Sequence, residues 1–324
     1  MTASNLHPGP LRQPYRERRW TPQTRRNLIT GLLFISPWLV GFLAFYVYPA
    51  LASLYYSFTD LRILSEPEWI GLDNYRRMLG DPLFWKALSN TIWLVLVMVP
   101  ISVAVALGVS LLLNVRGILG MSVFRTIFYL PVVVPAVASA VLWIWLLNPR
   151  YGLVNAALGA VGIDGPQWFY DAAWAKPGLV LMAVWAVGDV IIIYLGALQG
   201  VPRDLYDAAE VDGAGIRAKL RHVTIPMISP AILFNLVTGA IGAFQYFTQA
   251  YVVSEGTVGR GSGAVGGTQN SLLFYGLSIY NQAFRYFQLG YASAMAWILM
   301  LIILATTLVL LWLSRRRVYY AGER

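Results

Sequence analysis

Apolar residues in this chain neither alternate nor form a stripe along one helical face. They come in long blocks separated by short polar segments. About 20 apolar residues cross a bilayer as a helix. Blocks at residues 28–58, 91–113, 123–147, 178–198, 224–252 and 291–313 reach that length and predict an all-α membrane protein with six transmembrane helices. The first and fifth blocks exceed the minimum, so each is expected to tilt, kink or run into the interface. Pro37, Pro49, Pro100, Pro131, Pro135 and Pro230 fall inside the blocks as expected packing kinks, which membrane helices tolerate where neighbours satisfy the freed carbonyls.

Composition agrees with that pattern. Of 324 residues, 58% are hydrophobic and 12% charged, where a soluble domain would carry about a quarter charged. Twelve Trp and nineteen Tyr suit a protein with two membrane–water interfaces to populate. The net charge of +9 would suggest nucleic acid, but its placement gives another reading. With the N-terminus inside, the cytoplasmic segments hold 16 of the 24 Lys and Arg, and the opposite side holds eight. That is the positive-inside asymmetry of an even number of spans with both termini cytoplasmic. It excludes nucleic-acid binding and predicts a multi-pass membrane protein.

Residues 1–27, rich in Pro and Arg, read as a cytoplasmic tail. The apolar run that follows is too long for a signal peptide and lacks a small-residue cleavage site, so it reads as a retained first helix. Residues 60–90 form the largest polar external loop, too short for a domain of its own. Residues 314–324 form a second cytoplasmic tail.

No catalytic constellation is present. Lys86, Lys176 and Lys219 are the only lysines and none follows a Gly, so there is no phosphate-binding loop. Any ATP is therefore hydrolysed by another chain. Gly261–Gly266 fits the letters G-x-G-x-x-G but follows a membrane span, and reads as a flexible external loop. His7 and His222 lie in separate segments, and with no Cys the chain has no expected metal site.

The polar segment between spans four and five, residues 202–226, is the most informative. Residues 203–212 read as a short helix with acidic residues near its start, ended by Gly213 or Gly215. A second helix runs from about Ile216 towards Pro226. Ala208 and Ala209 leave a flank without bulk, and Leu205, Tyr206 and Val211 offer apolar anchors. Such a helix–turn–helix has the makings of a docking element; the alternative is a merely solvated loop.

The spacing Asp207-Ala208-Ala209-x3-Gly213-x9-Val223-x-Ile225-Pro226 resembles the E-A-A-x3-G-x9-I-x-L-P signature of permease subunits in binding-protein-dependent ABC importers. Asp207 keeps the charge of Glu, and Val223 and Ile225 keep the apolar character. Leu198-Gln199-Gly200-Val201-Pro202, Leu205-Tyr206 and Leu130-Pro131-Val132-Val133-Val134-Pro135 resemble the maltose-type, sugar-importing branch. So do Phe244-Gln245-Tyr246-Phe247, Ala283-Phe284 and Gly290-Tyr291-Ala292-Ser293-Ala294. The likeness runs from about Pro37 to Leu313. It departs at residues 254–268, longer and richer in Gly than the family's short turn there.

The resemblance implies a six-helix permease domain, residues 28–313, with a cytoplasmic coupling helix–turn–helix at residues 200–226. Leu205, Tyr206, Asp207, Ala208, Ala209, Asp212, Gly213, Ile225 and Pro226 would then dock on an ATPase. It implies a multi-pass place in the plasma (inner) membrane of a bacterium or archaeon, a second permease subunit pairing with this one as a heterodimer, two cytoplasmic ATPase subunits carrying ATP and Mg, and an extracytoplasmic solute-binding protein. This chain would itself be non-catalytic and bind no cofactor. It would pass a sugar or sugar-like solute inward by alternating access.

Asp189 is the ionisable residue near the middle of a predicted span. A carboxylate at that depth costs about 2.5–3.5 kcal/mol on insertion scales, so it should face a cavity or a partner. Trp185, four residues earlier, shares its face in a continuous helix. The pair suits a sugar, with polar groups fixing orientation and a ring supplying area; Asn235, Thr238 and Gln245 could line the same cavity. The alternative is an interhelical hydrogen bond from Asp189 to Tyr194, Thr238 or Asn235. An ion-coupled secondary transporter is the rival function, and would want more intramembrane charge and usually an inverted repeat. A membrane enzyme would need a catalytic cluster.

Overall fold

The computed structural model describes residues 22–63, 65–115, 119–258, 266–315 and 318–319. The first 21 residues of the expected N-terminal tail, residues 259–265 of the Gly-rich loop and most of the C-terminal tail lie outside them. The described residues are helical almost throughout. They hold no β-strand, only isolated bridges pairing Thr59 with Trp69 and Arg62 with Gln288. The chain divides into two units, one ending at Ser53 and one beginning at Leu54.

The first candidate span is one helix from Pro22 to Tyr56. It comprises α1 (Pro22–Phe42), a π-turn at Leu43–Val47 and α2 (Tyr48–Tyr56). Pro37 sits within α1 without ending it. Trp38, Phe42 and Tyr46 stack along one face, with centroids 5.3 and 5.9 Å apart, as aromatic rings four residues apart do.

In the second unit, α3 (Asp73–Gly80) precedes α4 (Pro82–Leu113), the second span. The helix starts at Pro82, nine residues before the apolar block. Asp81 accepts from the Leu83 amide at 2.8 Å and Pro82 occupies the first turn, where its missing N–H costs nothing. The final span, α16 (Leu289–Ser314), is also unbroken.

The three middle spans are bent pairs. The third is α5 (Met121–Val133) and α6 (Ala136–Leu146), at 102°. After the external helix α7 (Leu153–Ala160), the fourth is α8 (Ala172–Trp185) and α9 (Gly188–Gln199), at 48°. The polar hairpin follows, with α10 (Arg203–Val211), α11 (Ile216–Lys219), a π-turn at Leu220–Thr224 and α12 (Ile225–Met227). That strand of helix bends by 65° into α13 (Ser229–Phe244), and α14 (Thr248–Val258) follows a further break. Pro135 and Pro230 stand at two of the bends, as proline sterics require. The fourth span was expected to be continuous, and its break at Ala186–Val187 contains no proline.

α4 is the central helix of this unit, packed against α8, α9 and α13. Residues 268–285, between the fifth and sixth apolar blocks, carry α15 (Tyr275–Tyr280) and bury Leu272, Phe274, Tyr275 and Leu277 completely. The Asn90 side-chain amide donates to the carbonyls of Asn270 and Leu273, at 2.8 and 2.9 Å. The Tyr275 amide donates to the Thr91 hydroxyl at 2.8 Å. These bonds satisfy a backbone that would otherwise be buried without partners.

Gly290 closes the same end. Its amide donates to the Leu61 carbonyl at 3.0 Å, and an added Cβ would meet the Thr59 carbonyl oxygen at 2.1 Å. Gly290→Ala should therefore lower the melting temperature of the detergent-solubilised protein, by an overpacking cost of roughly 1–3 kcal/mol. An unchanged melting curve would remove this contact from the account of stability.

Candidate functional site

Two features hold the expected site residues: the polar hairpin and a chamber among the helix breaks. In the hairpin, Gly213 has φ +74° and is the residue that ends α10. Its amide donates to the Glu210 carbonyl at 3.0 Å, and the Ala214 amide donates to the Ala209 carbonyl at 2.8 Å. This is the paired-bond helix ending that a left-handed residue permits. Gly215, the other candidate stop, has extended backbone and begins α11 instead.

Two side-chain contacts hold the hairpin shut. Lys219 Nζ donates to Glu210 Oε2 at 2.6 Å, which holds the Glu210 carboxyl below its ordinary range. The Tyr206 and Thr224 hydroxyls share a hydrogen bond of 3.0 Å. Tyr206 packs inward beside Leu198, Val201 and Ile228. The outer surface carries Leu205, Asp207, Ala208, Asp212 and Ile225, while Ala209 and Pro226 are half-buried. Val211 and Ile216 are 89% and 88% exposed, so two large apolar side chains flank the glycine turn in water. Sequence reasoning missed Ile216 and the Glu210–Lys219 brace. The signal for the brace was a pair of opposite charges straddling the turn.

The chamber, of about 410 Å³, is lined by Val134, Pro135, Ala186, Asp189, Tyr246 and Gln249 among others. Those residues come from or beside the breaks in the third, fourth and fifth spans. Asp189 occupies the first turn of α9, with Oδ1 accepting from the Val190 amide at 2.8 Å. A carboxylate at a helix N-terminus is favoured by the unpaired amides there. Gly188 makes the arrangement possible, since a Cβ on it would meet the Phe128 carbonyl oxygen at 2.5 Å and Val132 Cγ2 at 2.9 Å. The helix ends can thus approach at backbone distance.

The other expected chamber residues lie elsewhere. Trp185 is on the far side of the break, edge-on to Trp143 with centroids 6.1 Å apart, and does not line the chamber. The 48° bend removes the four-residue register that a continuous helix would give it with Asp189. Asn235 is buried and donates to the Ala231 carbonyl, and the Thr238 hydroxyl donates to the Phe234 carbonyl. Tyr194 is fully buried. None of the three bonds Asp189 in this structure. Gln245 is exposed at the α13–α14 break, outside the lining. Tyr246 and Gln249 were missed; both sit within or one turn beyond the Phe244–Phe247 motif.

The chain matches the model of the binding-protein-dependent transport system inner membrane component family over residues 99–319. It is 39% identical over 302 residues to a probable ABC transporter permease protein, YesP, of Bacillus subtilis (strain 168), covering 92% of this chain and 94% of that one. It is 34% identical over 293 residues to the lactose transport system permease protein LacF of Rhizobium radiobacter, covering 89% and 95%. Its fold matches a chain in the crystal structure of a bacterial ABC transporter involved in alginate import, with a TM-score of 0.78. That likeness is at 24% identity and covers 93% of this chain and 99% of the other. By the matched model and these relatives, the chain belongs to the binding-protein-dependent transport system inner membrane component family.

Proposed function

We propose that this chain is one of two permease subunits of an ATP-driven importer that carries a sugar or sugar-like solute into the cytoplasm. The observation that carries this reading is the hairpin. A short helix is stopped by a left-handed glycine, braced from within, and presents apolar side chains to water. Exposed apolar groups rimmed by charge suit a protein partner. The partner would be a cytoplasmic ATPase, one of two, holding ATP and Mg. A relative named for lactose transport supports the sugar class. The match to an alginate transporter crystallised with a pentasaccharide-bound periplasmic protein supports delivery by an extracytoplasmic solute-binding protein.

Coupling to ATP is tested in proteoliposomes holding the complete complex. Uptake should require ATP inside, and should persist when an uncoupler collapses ion gradients at constant ATP. Collapse of uptake under those conditions would favour the ion-coupled alternative.

Orientation follows from the charge distribution, with both termini cytoplasmic and the hairpin on the same side. Because the sequence has no Cys, single cysteines report topology without background. Ser65→Cys should react with an impermeant thiol reagent added outside intact cells, and Ala218→Cys should not. The reverse pattern would overturn both the orientation and the docking assignment.

A further inference from the structure

The hairpin is fastened at its base as well as braced within. Ser229, the first residue of α13, stands at the 65° bend where the second arm of the hairpin meets the membrane helix. Its side chain is buried, and its hydroxyl is used twice. Oγ donates to the Pro226 carbonyl at 2.6 Å and accepts from the Tyr319 amide at 3.0 Å. A serine hydroxyl has one proton to give, so the bond to Pro226 uses all of its donor capacity. Ser229 and Tyr319 are 90 residues apart. The contact therefore joins the base of the hairpin to the chain just beyond the sixth span.

Both halves of the contact are themselves held. Ile228, next to Ser229, is 1% exposed and packs with Leu198 and Val201. On the other side, the Val318 amide donates to the Ser314 carbonyl at 3.0 Å. That bond reaches four residues back, as in an α-helix, and lies beyond the last residue of α16. Farther along the two helices, Ala240, Ala243 and Phe244 of α13 share a buried cluster with Tyr291, Met295 and Leu299 of α16. Tyr319 contributes its backbone to the contact, while its side chain is exposed.

We infer that Ser229 and the Tyr319 amide form a clasp that makes the hairpin and the end of the sixth span move as one body. The inference rests on the hairpin being the ATPase docking element. A displacement of the hairpin reaches Ser229 through Pro226, and the same oxygen carries it on to Tyr319. Without the clasp, the 65° bend is a hinge, and the hairpin turns while α16 stays behind. Ser229 is thus a positioning residue, acting on the pathway through the hairpin and α16. Coupling of this kind needs an element with two arrangements that both sites bias, and the hairpin with α16 is that element.

The test follows two spin-label distances in the complete complex, assembled with cysteine-free partner subunits, before and after trapping with Mg, ATP and vanadate. One pair, Arg217→Cys with Val115→Cys, joins the hairpin to the end of α4. The other, Arg217→Cys with Arg315→Cys, joins it to the end of α16. In the otherwise unaltered chain, trapping should shift the first distance and leave the second fixed. Tyr319→Pro removes the donated amide, since proline has no N–H, and both distances should then shift. Tyr319→Ala keeps the amide and should behave as the unaltered chain. Ser229→Ala should release the second distance, and Ser229→Thr, which keeps a hydroxyl, should hold it. A second distance that shifts in the unaltered chain as much as the first would overturn the clasp alone. So would a second distance that stays fixed in Tyr319→Pro, even with a lowered melting temperature, because the bond would then be a structural tie only. Two fixed distances in the unaltered chain would sink the docking reading, and the inference with it.

Discussion

Gly213→Val is expected to leave the helices inserted and the complex poorly coupled, with ATP-driven uptake largely lost. At φ +74° a β-branched residue carries a penalty of roughly 1–2 kcal/mol. No neighbour crowds the position, because an added Cβ would meet nothing within 4 Å. The penalty is therefore in the backbone, and the chain relieves it by giving up the bonds from Gly213 to Glu210 and from Ala214 to Ala209. Val211 and Ile216 would then be presented at a different angle. Gly213→Asn should restore much of the uptake, since Asn visits the left-handed region more readily than other non-glycine residues. Normal ATPase recruitment and uptake in Gly213→Val would take this turn out of the coupling mechanism.

Asp189→Asn is expected to weaken apparent solute affinity without disturbing assembly. The substitution keeps shape and one acceptor but removes the charge. A hydrogen bond to a charged group contributes about 1.5–3 kcal/mol against about 1 for a neutral one. A difference of about 1.4 kcal/mol is tenfold in an equilibrium constant, so half-saturation should rise severalfold to tenfold. Among the described residues, Asp189 makes no hydrogen bond to another helix. Its protein bond is to its own helix, at the Val190 amide, so no crosslink between helices is lost. Reduced expression or melting temperature with unchanged half-saturation would reinstate the tie. Trp185→Ala, outside the lining, is expected to have the smaller effect on affinity.

The legible parts of the molecule were those governed by one length or one local rule. Six apolar blocks predicted six spans because bilayer thickness fixes the length of an apolar helix. The bends at Pro135 and Pro230 were readable because proline lacks an amide and restricts its predecessor. The hairpin was readable because a glycine after a short helix is a local stop signal, although choosing Gly213 over Gly215 needed the backbone angles. The break at Ala186–Val187 was not legible. It adjoins the close approach of α5 to Gly188, a contact between segments more than fifty residues apart. The same holds for residues 268–285, whose apolar run is too short to span a bilayer. They are buried because Asn90 and Thr91, on another helix, satisfy their backbone.

The sequence by itself determined the class of protein, the number of spans, the place of the hairpin and the presence of a carboxylate that needs a cavity. These follow from hydropathy, charge and helix-ending rules, which act over one or two turns of chain. Tertiary structure alone decided which residues share that cavity. It set Trp185 and Gln245 outside and brought in Tyr246 and Gln249. It also turned Tyr206 inward and left Val211 and Ile216 in water. The physical reason is that a bend redirects every side chain beyond it, and the proline-free bend of the fourth span lies beside a contact between spans distant in sequence.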